Sequence, residues 1–201
     1  MSTPSSPDHS SLGAAGRKTV VHLVRHGQST WNVERRLQGQ TAHPPLTDLG
    51  RQQAEAAAEE LERIIGSDAC RLVSSDLVRA RETAEIIADR LGVAVRQDEA
   101  LREQHLGELQ GRLTADLVPE PVPEGCHLSE VRWGGGESIA DVHARLTEFF
   151  TAEVPTAPGH LIVVTHGDTM RVAEAVLRGR CHREVVWDGV PGNGSIRTVR
   201  G

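Results

Sequence analysis

Short apolar segments alternate with amphipathic helical patterns along most of this chain. Thr19 to Val24, Leu72 to Val73 and Leu161 to Val164 are rich in β-branched and apolar residues, which favours strands buried on both faces. Segments with apolar residues at helical spacing, such as Ala54 to Ile65 and Ile139 to Phe149, lie between and after them. This alternation predicts an α/β fold, a three-layer α/β/α sandwich with a mostly parallel central sheet.

Local signals set the expected limits of these elements. Thr47 is a suitable N-cap for the first long helix, and Gly66 is suited to end it. Gly92 is expected to end the next helix. Three further elements are expected: a strand at Val93 to Val95, a helix at Thr169 to Leu177 and an edge strand at Ser195 to Val199.

The length of 201 residues suits one domain with a well-buried core. Residues 1–17 are rich in Ser, Pro and Gly, so they are predicted to form a disordered tail, and residues 18–201 a single catalytic domain. Residues 112–136 contain several prolines and three consecutive glycines. This stretch is predicted to be an excursion over the sheet that covers a pocket as a lid.

Charge and composition restrict the partners. The net charge of -6 argues against nucleic acid or an anionic membrane as the main partner. No apolar run approaches the roughly 20 residues that a membrane-spanning helix needs. The cysteines are odd in number and widely spaced, so we expect reduced thiols and a cytoplasmic protein: Cys70, Cys126 and Cys181.

Cationic side chains follow the predicted strand ends. Arg25 and His26 come directly after the first strand, Arg79 follows the second, and His166 follows the strand at Leu161 to Val164. The carboxyl ends of parallel strands meet at one edge of a sheet, so these side chains are expected to converge. Arginine in particular matches the oxygens of a phosphoryl group, and a small cationic pocket of this kind suits a phosphate ester.

Five motifs in order resemble those of the histidine phosphatase superfamily, the phosphoglycerate-mutase-like proteins. The resemblance covers roughly residues 19 to 199. An Arg-His-Gly triplet alone is weak evidence, but the ordered set is specific. The motifs are Arg25-His26-Gly27 with Asn32, Pro45-Leu46-Thr47-Asp48-Leu49-Gly50, Ser74-Ser75-Asp76-Leu77-Val78-Arg79-Ala80 with Thr83-Ala84, Leu101-Arg102-Glu103-Gln104-His105-Leu106-Gly107, and Thr165-His166-Gly167.

The resemblance implies catalysis through a phosphohistidine. His26 would attack phosphorus through a neutral ring nitrogen, with its other nitrogen fixing the tautomer. Arg25, Arg79 and His166 would neutralise the transferring group, with His166 expected as an imidazolium. Glu103 would protonate the leaving alkoxide and later deprotonate the attacking water. No metal ion and no cofactor is expected.

Further residues are expected to contact phosphate or substrate. Asn32 matches a phosphate contact of the family, and Gly167 offers a backbone amide at a helix start. Arg35 and Gln38 lie in the loop after Asn32, where a leaving group would extend, and Arg35 could equally be a solvated surface residue. His105 could touch substrate or be a plain loop histidine.

Structural interpretations compete with the catalytic ones. A single histidine at a strand end, such as His26, is often only a hydrogen-bonded structural residue, and Arg79 taken alone could lie on a helix surface. Glu99 and Glu108 lie close to Glu103 and could take its role if the motif were misaligned. The ordered motifs favour the catalytic interpretation in each case.

Three functions remain open from the sequence. The favoured one is a phosphatase acting on a small phosphate ester, a sugar phosphate or phosphoglycerate derivative, because the span from Glu103 to His166 is shorter than is usual in mutases of the family. The alternatives are a cofactor-dependent phosphoglycerate mutase and a noncatalytic phospho-ligand binding module. The family often forms homodimers, and the sequence leaves the oligomeric state open.

Overall fold

The computed structural model describes residues 19–118 and 120–200. Its strands are β1 (Val20–Arg25), β2 (Cys70–Ser74), β3 (Val95–Gln97), β4 (His160–Thr165) and β5 (Ile196–Arg200). They form one sheet in the order β3-β2-β4-β1-β5. The first four run parallel, and β5 pairs antiparallel with β1 at the edge. The predicted mostly parallel sheet with a C-terminal edge strand is confirmed.

Helices cover both faces of this sheet. They are α1 (Thr30–Val33), α2 (Asp48–Ile65), α3 (Val78–Leu91), α4 (Ile139–Glu153) and α5 (Gly167–Leu177). The apolar residues of α2 and α3 form one core with one face of the sheet, whereas those of α4 and α5 form a second core with the opposite face. The three-layer α/β/α architecture follows from these two cores.

Apolar side chains of the central strands point alternately to the two faces of the sheet, so both faces must be covered by helices. In β4, Leu161 and Val163 point into the core of α4 and α5, while Ile162 and Val164 point into the core of α2 and α3. All four side chains are fully buried. A continuous apolar run of this kind has no solvent-facing side, as expected of a strand in the middle of a parallel sheet.

Most predicted element limits agree with the structure. The Thr47 side chain accepts from Gly50 N–H at 3.0 Å as the N-cap of α2, and Gly66 ends that helix at a φ of 58°. The strand expected at Val93 to Val95 is displaced, since β3 begins at Val95. The reason is that Gly92 caps α3 in a left-handed conformation and Val93 N–H still donates to Ala88.

The helix expected from Thr169 begins two residues earlier, at Gly167, because His166 already has the extended conformation of an N-cap. This brings the helix N-terminus directly against the strand ends that carry the predicted catalytic residues. The first backbone amides of α5 are therefore available to groups that lie at this edge of the sheet.

The predicted excursion at residues 112–136 contains three short 3-10 helices in its described part: Thr114–Asp116, Leu128–Glu130 and Trp133–Gly135. Its Ser129 Oγ lies 2.7 Å from His182 Nδ1, which ties the segment to the chain after α5. The tail predicted at residues 1–17 lies outside the described residues. None of the helices in the described ranges combines the length and apolar character needed to cross a membrane.

Candidate active site

The carboxyl ends of β1, β2 and β4 lie side by side at one edge of the sheet. The register pairs Arg25 at the end of β1 with Thr165 at the end of β4, and β2 lies on the other side of β4. Three polar residues follow these ends directly, and all three are buried: His26, Ser75 and His166. The structure therefore brings the two predicted histidines together, with their ring centroids 5.2 Å apart.

His26 is fixed in one tautomer. Its Nδ1 lies 2.6 Å from the carbonyl oxygen of Gly27, and because a carbonyl only accepts, Nδ1 carries the proton. The lone pair is thus on Nε2. Burial, reinforced by the charges of Arg79 and Arg25, holds the pKa of His26 well below its ordinary value. The ring is therefore neutral and can act as a nucleophile through Nε2.

Two glycines in contact determine where the His26 loop lies. A Cβ on Gly27 would come within 2.1 Å of the carbonyl oxygen of Gly50, and a Cβ on Gly50 would come within 2.1 Å of the carbonyl oxygen of Gln28. The loop and the first turn of α2 therefore approach more closely than any side chain permits. This contact explains why the second motif, although it contains no catalytic group, belongs to the site.

His166 presents the second imidazole of the site. Its Nε2 lies 2.9 Å from Ser75 Oγ, which also accepts from Leu77 N–H at 3.3 Å. The Ser75 hydroxyl can donate to Nε2, and in that arrangement the His166 proton is on Nδ1. That Nδ1 is buried and has no hydrogen-bond partner among the described residues. It is a donor available to a phosphate oxygen.

The expected imidazolium form of His166 is not the one that the charges of the protein favour. Burial, followed by Arg79 and by His26, holds the pKa of His166 well below its ordinary value. A phosphoryl dianion would act in the opposite direction. The role as a donor does not depend on a second proton, however, because the neutral ring carries its proton on Nδ1 when Ser75 donates to Nε2.

Arg79 is the most deeply buried cation of the site, with 1% of its surface exposed. Its two terminal nitrogens donate to Thr41 O at 2.9 Å and Gly39 O at 2.8 Å, whereas its buried Nε has no partner within the described ranges. Burial lowers its pKa to about 10, with Glu103 opposing this shift. Arg79 therefore stays charged at neutral pH and keeps one donor for an anion.

Arg25 ends β1 and directly precedes His26. Its guanidinium packs against Gly167, where a Cβ would lie 3.5 Å from Cζ, and one terminal nitrogen donates to the Pro191 carbonyl. Burial lowers its pKa, and its Nε has no hydrogen-bond partner in the part of the chain that the structure describes. A Cβ at Gly167 would make only an ordinary van der Waals contact with Arg25, so the place of Gly167 in the site is that it starts α5.

Glu103 is positioned at the N-terminus of α5, beside His166. Its Oε1 accepts from the backbone N–H and the hydroxyl of Thr169, at 3.0 and 2.9 Å, and its Oε2 accepts from Asp168 N–H at 3.3 Å. Glu99 and Glu108, the alternatives in sequence, are both exposed. Glu103 is the member of the three that the fold carries to the cationic cluster.

A polar network that sequence reasoning missed holds the Glu103 backbone. Arg145 of α4 donates to Glu103 O at 3.2 Å and pairs with Glu137 at 3.0 Å. Gln40 also donates to Glu103 O at 3.1 Å and to Glu137 at 3.2 Å. These residues are far apart in the chain, so no local signal joins them. The network fixes the loop that carries the carboxylate.

Asn32 and Gln38 meet at Ser29 in the loop after His26. Asn32 Oδ1 accepts from Ser29 N–H at 2.9 Å and Gln38 Oε1 accepts from Ser29 Oγ at 2.8 Å. Asn193, another residue missed in the sequence, donates to both His26 O at 3.1 Å and Asn32 Oδ1 at 3.3 Å. With its oxygen engaged, Asn32 has the amide Nδ2 to offer to a phosphate.

Arg35 and His105 are not brought into the cationic cluster. Arg35 is exposed, has a positive φ of 55°, and its backbone carbonyl accepts from Thr114 N–H at 2.9 Å. The His105 ring accepts from Gly107 N–H at 3.2 Å. These contacts give both residues a place in the loop structure around the site. A direct role in binding substrate stays a prediction for each.

Asp168, which sequence reasoning did not single out, lies at the mouth of the site. It pairs with Arg171 at 3.0 Å. Arg171 in turn stacks on the Trp187 ring, with its guanidinium carbon 5.2 Å from the ring centroid. Burial and the neighbouring Glu103 raise the pKa of Asp168 to about 6, against the opposing charges of Arg171 and Arg25. Asp168 therefore keeps its proton to a higher pH than an ordinary carboxyl does.

Two clefts open from Asp168, and Trp133 is the other residue that lines both. The basic cleft, about 450 Å³, is lined by these two residues and by Gln104, His127, Leu128, Ser129, Ile139, His182, Arg183 and Trp187. The apolar cleft, about 560 Å³, is lined by the same two residues and by Leu37, Leu106, Leu109, Arg112, Asp116, Leu117, Val118 and Glu120. Several lining residues of each cleft come from the 112–136 segment.

Comparisons with a family model and with curated proteins point to the same family. Residues 21–200 match the family model of the histidine phosphatase superfamily, branch 1. A curated relative from Yersinia pestis (strain Pestoides F), named "Probable phosphoglycerate mutase GpmB", is 34% identical over 170 residues, which cover 79% of this chain and 74% of the relative.

Solved structures resemble this fold over most of the chain. A mycobacterial glucosyl-3-phosphoglycerate phosphatase in complex with VO3 is 34% identical, with a TM-score of 0.76 over 89% of this chain and 91% of its own. The YhfR protein of Bacillus stearothermophilus is 28% identical, with a TM-score of 0.72 over 90% of each chain. A phosphoglycerate mutase from Thermus thermophilus is 32% identical, with a TM-score of 0.66 over 90% of this chain and 92% of its own.

Proposed function

The chain belongs to branch 1 of the histidine phosphatase superfamily, and from this premise we propose that it hydrolyses phosphate monoesters without a metal ion. The observation that carries the proposal is the set of unpaired nitrogens around His26. His26 offers a lone pair on Nε2, and Arg25, Arg79 and His166 each keep a buried nitrogen with no partner among the described residues. Donors arranged around a nucleophile in this way suit a transferring phosphoryl group.

In the first step, His26 Nε2 attacks phosphorus and the bond from phosphorus to the ester oxygen breaks. Negative charge on the phosphoryl oxygens is met by the Arg25 and Arg79 guanidinium groups and by His166 Nδ1–H. Glu103, in the carboxylic acid form that this step requires, gives its proton to the leaving alkoxide. The products of this step are the alcohol and a phosphohistidine.

In the second step, water attacks the phosphohistidine. Glu103, now a carboxylate, takes a proton from the water as the new oxygen–phosphorus bond forms and the nitrogen–phosphorus bond breaks. Inorganic phosphate is released, and His26 returns to its neutral form. The low pKa of His26 favours departure of a neutral imidazole.

A small phosphorylated metabolite is the proposed substrate, either a sugar phosphate or a phosphoglycerate derivative. The structural likeness to a glucosyl-3-phosphoglycerate phosphatase supports this substrate class. The alternative is a cofactor-dependent phosphoglycerate mutase, which the names of the Yersinia relative and of the Thermus structure support. A mutase would pass the phosphoryl group from His26 to a second substrate hydroxyl rather than to water.

The test is inorganic phosphate release from a panel of phosphate esters, with EDTA present and His26→Ala measured beside the wild type. Release that persists in EDTA and is lost in the variant is the expected result. Exchange of phosphate between positions of phosphoglycerate, with little net release, would instead favour the mutase. No reaction with any ester, together with retained phosphate binding, would favour a noncatalytic module.

A further inference from the structure

The apolar cleft adjoins the phosphate site through Asp168, which lines the cleft and donates its backbone N–H to Glu103 Oε2, so the cleft can hold the part of an ester that leaves. Leu37, which lines this cleft, directly precedes Gln38 and Gly39, and these two residues bond Ser29 and Arg79. The cleft wall and the phosphate-binding loop are thus one continuous segment. The inference that follows rests on the proposed phosphatase function.

The lining of this cleft combines apolar side chains with an excess of acidic ones. Its aliphatic and aromatic members are Leu37, Leu106, Leu109, Leu117, Val118 and Trp133. Its acidic members are Asp116, Glu120 and Asp168, against one cation, Arg112. Apolar atoms that enter the cleft lose contact with water, which favours binding. A second negative charge on the leaving group would meet an excess of carboxylates.

Asp168 is the acidic lining residue that also contacts the phosphate site, because it lines both clefts and its backbone N–H donates to Glu103 Oε2. Its side chain is held by Arg171, which is itself fixed by the Gly189 carbonyl and the Trp187 ring. Asp168 therefore cannot readily turn away from an anionic group. A fixed charge near the exit of a site selects by repulsion as well as by attraction.

The basic cleft is a weaker candidate because its polar groups already bind one another. Ser129 Oγ lies 2.7 Å from both His127 Nδ1 and His182 Nδ1, and Arg183 pairs with Glu130. A leaving group would have to break these contacts to use the same atoms. In the apolar cleft six of the ten lining residues are aliphatic or aromatic, so a leaving group can lie against them without breaking such contacts.

We propose that the physiological leaving group is an uncharged alcohol with an apolar body, which lies in the apolar cleft, and that Asp168 selects against leaving groups with a second negative charge. Within the proposed class of small phosphorylated metabolites, this inference narrows the substrates to esters of uncharged alcohols, so phosphoglycerate derivatives and bisphosphorylated compounds are then poor substrates. The specificity is carried by the excursion at residues 112–136 together with Leu37 and the first turn of α5.

The first experiment compares kcat/KM for ethyl, butyl and hexyl phosphate. These alcohols differ little in acidity, so the chemical step is nearly constant and chain length isolates binding in the cleft. We expect kcat/KM to rise about fourfold for each methylene that becomes buried. Equal values for the three esters would overturn the inference while leaving phosphate release, and hence the proposed function, intact. Failure to hydrolyse any ester would instead remove the proposed function.

Matched variants locate the effect in one cleft. Leu117→Ser places a hydroxyl in the apolar cleft and is expected to reduce the ratio of hexyl to ethyl phosphate kcat/KM several-fold. Leu128→Ser makes the same change in the basic cleft and should leave that ratio as in the wild type. If Leu128→Ser lowered the ratio and Leu117→Ser did not, the leaving group would lie in the basic cleft and the proposal would be wrong.

A comparison of two esters tests the role of Asp168 separately. Asp168→Asn is expected to raise the ratio of kcat/KM for 3-phosphoglycerate to that for butyl phosphate about tenfold, since one carboxylate charge is removed. A loss of stability or of general activity would affect both esters and leave the ratio unchanged. An unchanged ratio would therefore refute selection by Asp168.

Discussion

Acidification from pH 7 to pH 5 is expected to destabilise this protein through His22, a residue with no part in the proposed chemistry. His22 is fully buried in β1, with Nδ1 2.9 Å from Thr198 Oγ1 and Nε2 2.9 Å from His160 Nδ1. Burial, then His160 and Arg200, lower its pKa from 6.5 to about 4. The unfolded chain therefore binds a proton on His22 at a pH where the folded chain does not.

The magnitude follows from linkage between proton binding and folding. The folded-state pKa lies below that of the unfolded chain, so the His22 contribution is fully present above pH 6.5 and is lost as the pH falls towards 4. A shift from 6.5 to about 4 corresponds to about 2 kcal/mol of unfolding free energy lost between pH 7 and pH 5. The buried His26 and His166 add to the total in the same direction.

Denaturant unfolding at pH 7 and pH 5 separates the His22 contribution from the others. His22→Gln removes the titrating ring, so its loss of stability between the two pH values should be about 2 kcal/mol smaller than in the wild type. His22 and His26 are about 13 Å apart along the strand, far enough for their effects to add. Val24→Ala, a cavity two residues away on the same buried face, is the control that should lower stability equally at both pH values. If the free energy of unfolding fell by the same amount between pH 7 and pH 5 in His22→Gln and in the wild type, the reasoning would be refuted.

Three further predictions concern the site. Glu103→Gln should lower kcat by roughly 10²-fold or more for ethyl phosphate and much less for p-nitrophenyl phosphate, whose leaving group needs no proton; equal losses in the two assays would exclude the general acid role. Ser75→Ala should lower kcat about tenfold, because His166 loses the contact that orients its ring, and should cost about 1–3 kcal/mol of unfolding free energy, because Leu77 N–H also loses its acceptor; an unchanged kcat in the folded variant would contradict the proposed role of that contact. Gly50→Ala should cost about 1–3 kcal/mol in thermal unfolding, because its Cβ would meet Gln28 O at 2.1 Å, whereas Gly192→Ala, where a Cβ meets nothing within 4 Å, should be nearly neutral; equal costs would refute the contact.

The sequence predicted the parts of the site that depend on strand ends. Arg25, His26 and His166 follow apolar strands, and parallel strands leave their carboxyl ends at one edge, so the convergence of these residues could be expected from the chain alone. The place of β3 was wrong by two residues because the cap of α3 continues past Gly92. Local patterns show that a strand follows a helix but not how far the cap extends.

Residues that act through long-range contacts could not be predicted in this way. Asn193 reaches His26 from the loop before β5, and Arg145 reaches Glu103 from the middle of α4. Neither lies in a motif, and an arginine or asparagine at such positions is usually at the surface. Asp168 did lie within one residue of a motif, but its importance depends on the two clefts that open beside it. Only the packed fold shows such openings.

The two buried arginines of the site, Arg25 and Arg79, are held by backbone carbonyls rather than by carboxylates. Burying Arg79 and Arg25 together is costly, and their low pKa values reflect this cost. Gly39, Thr41 and Pro191 offset part of it by accepting from the terminal nitrogens, yet each guanidinium keeps its Nε without a partner within the described ranges. A carboxylate in place of these carbonyls would stabilise the fold more, but it would also cancel the charge that an incoming phosphate requires. Neutral acceptors hold the arginines in position and leave their charge available, so the binding of the dianion supplies the stabilisation that folding alone does not.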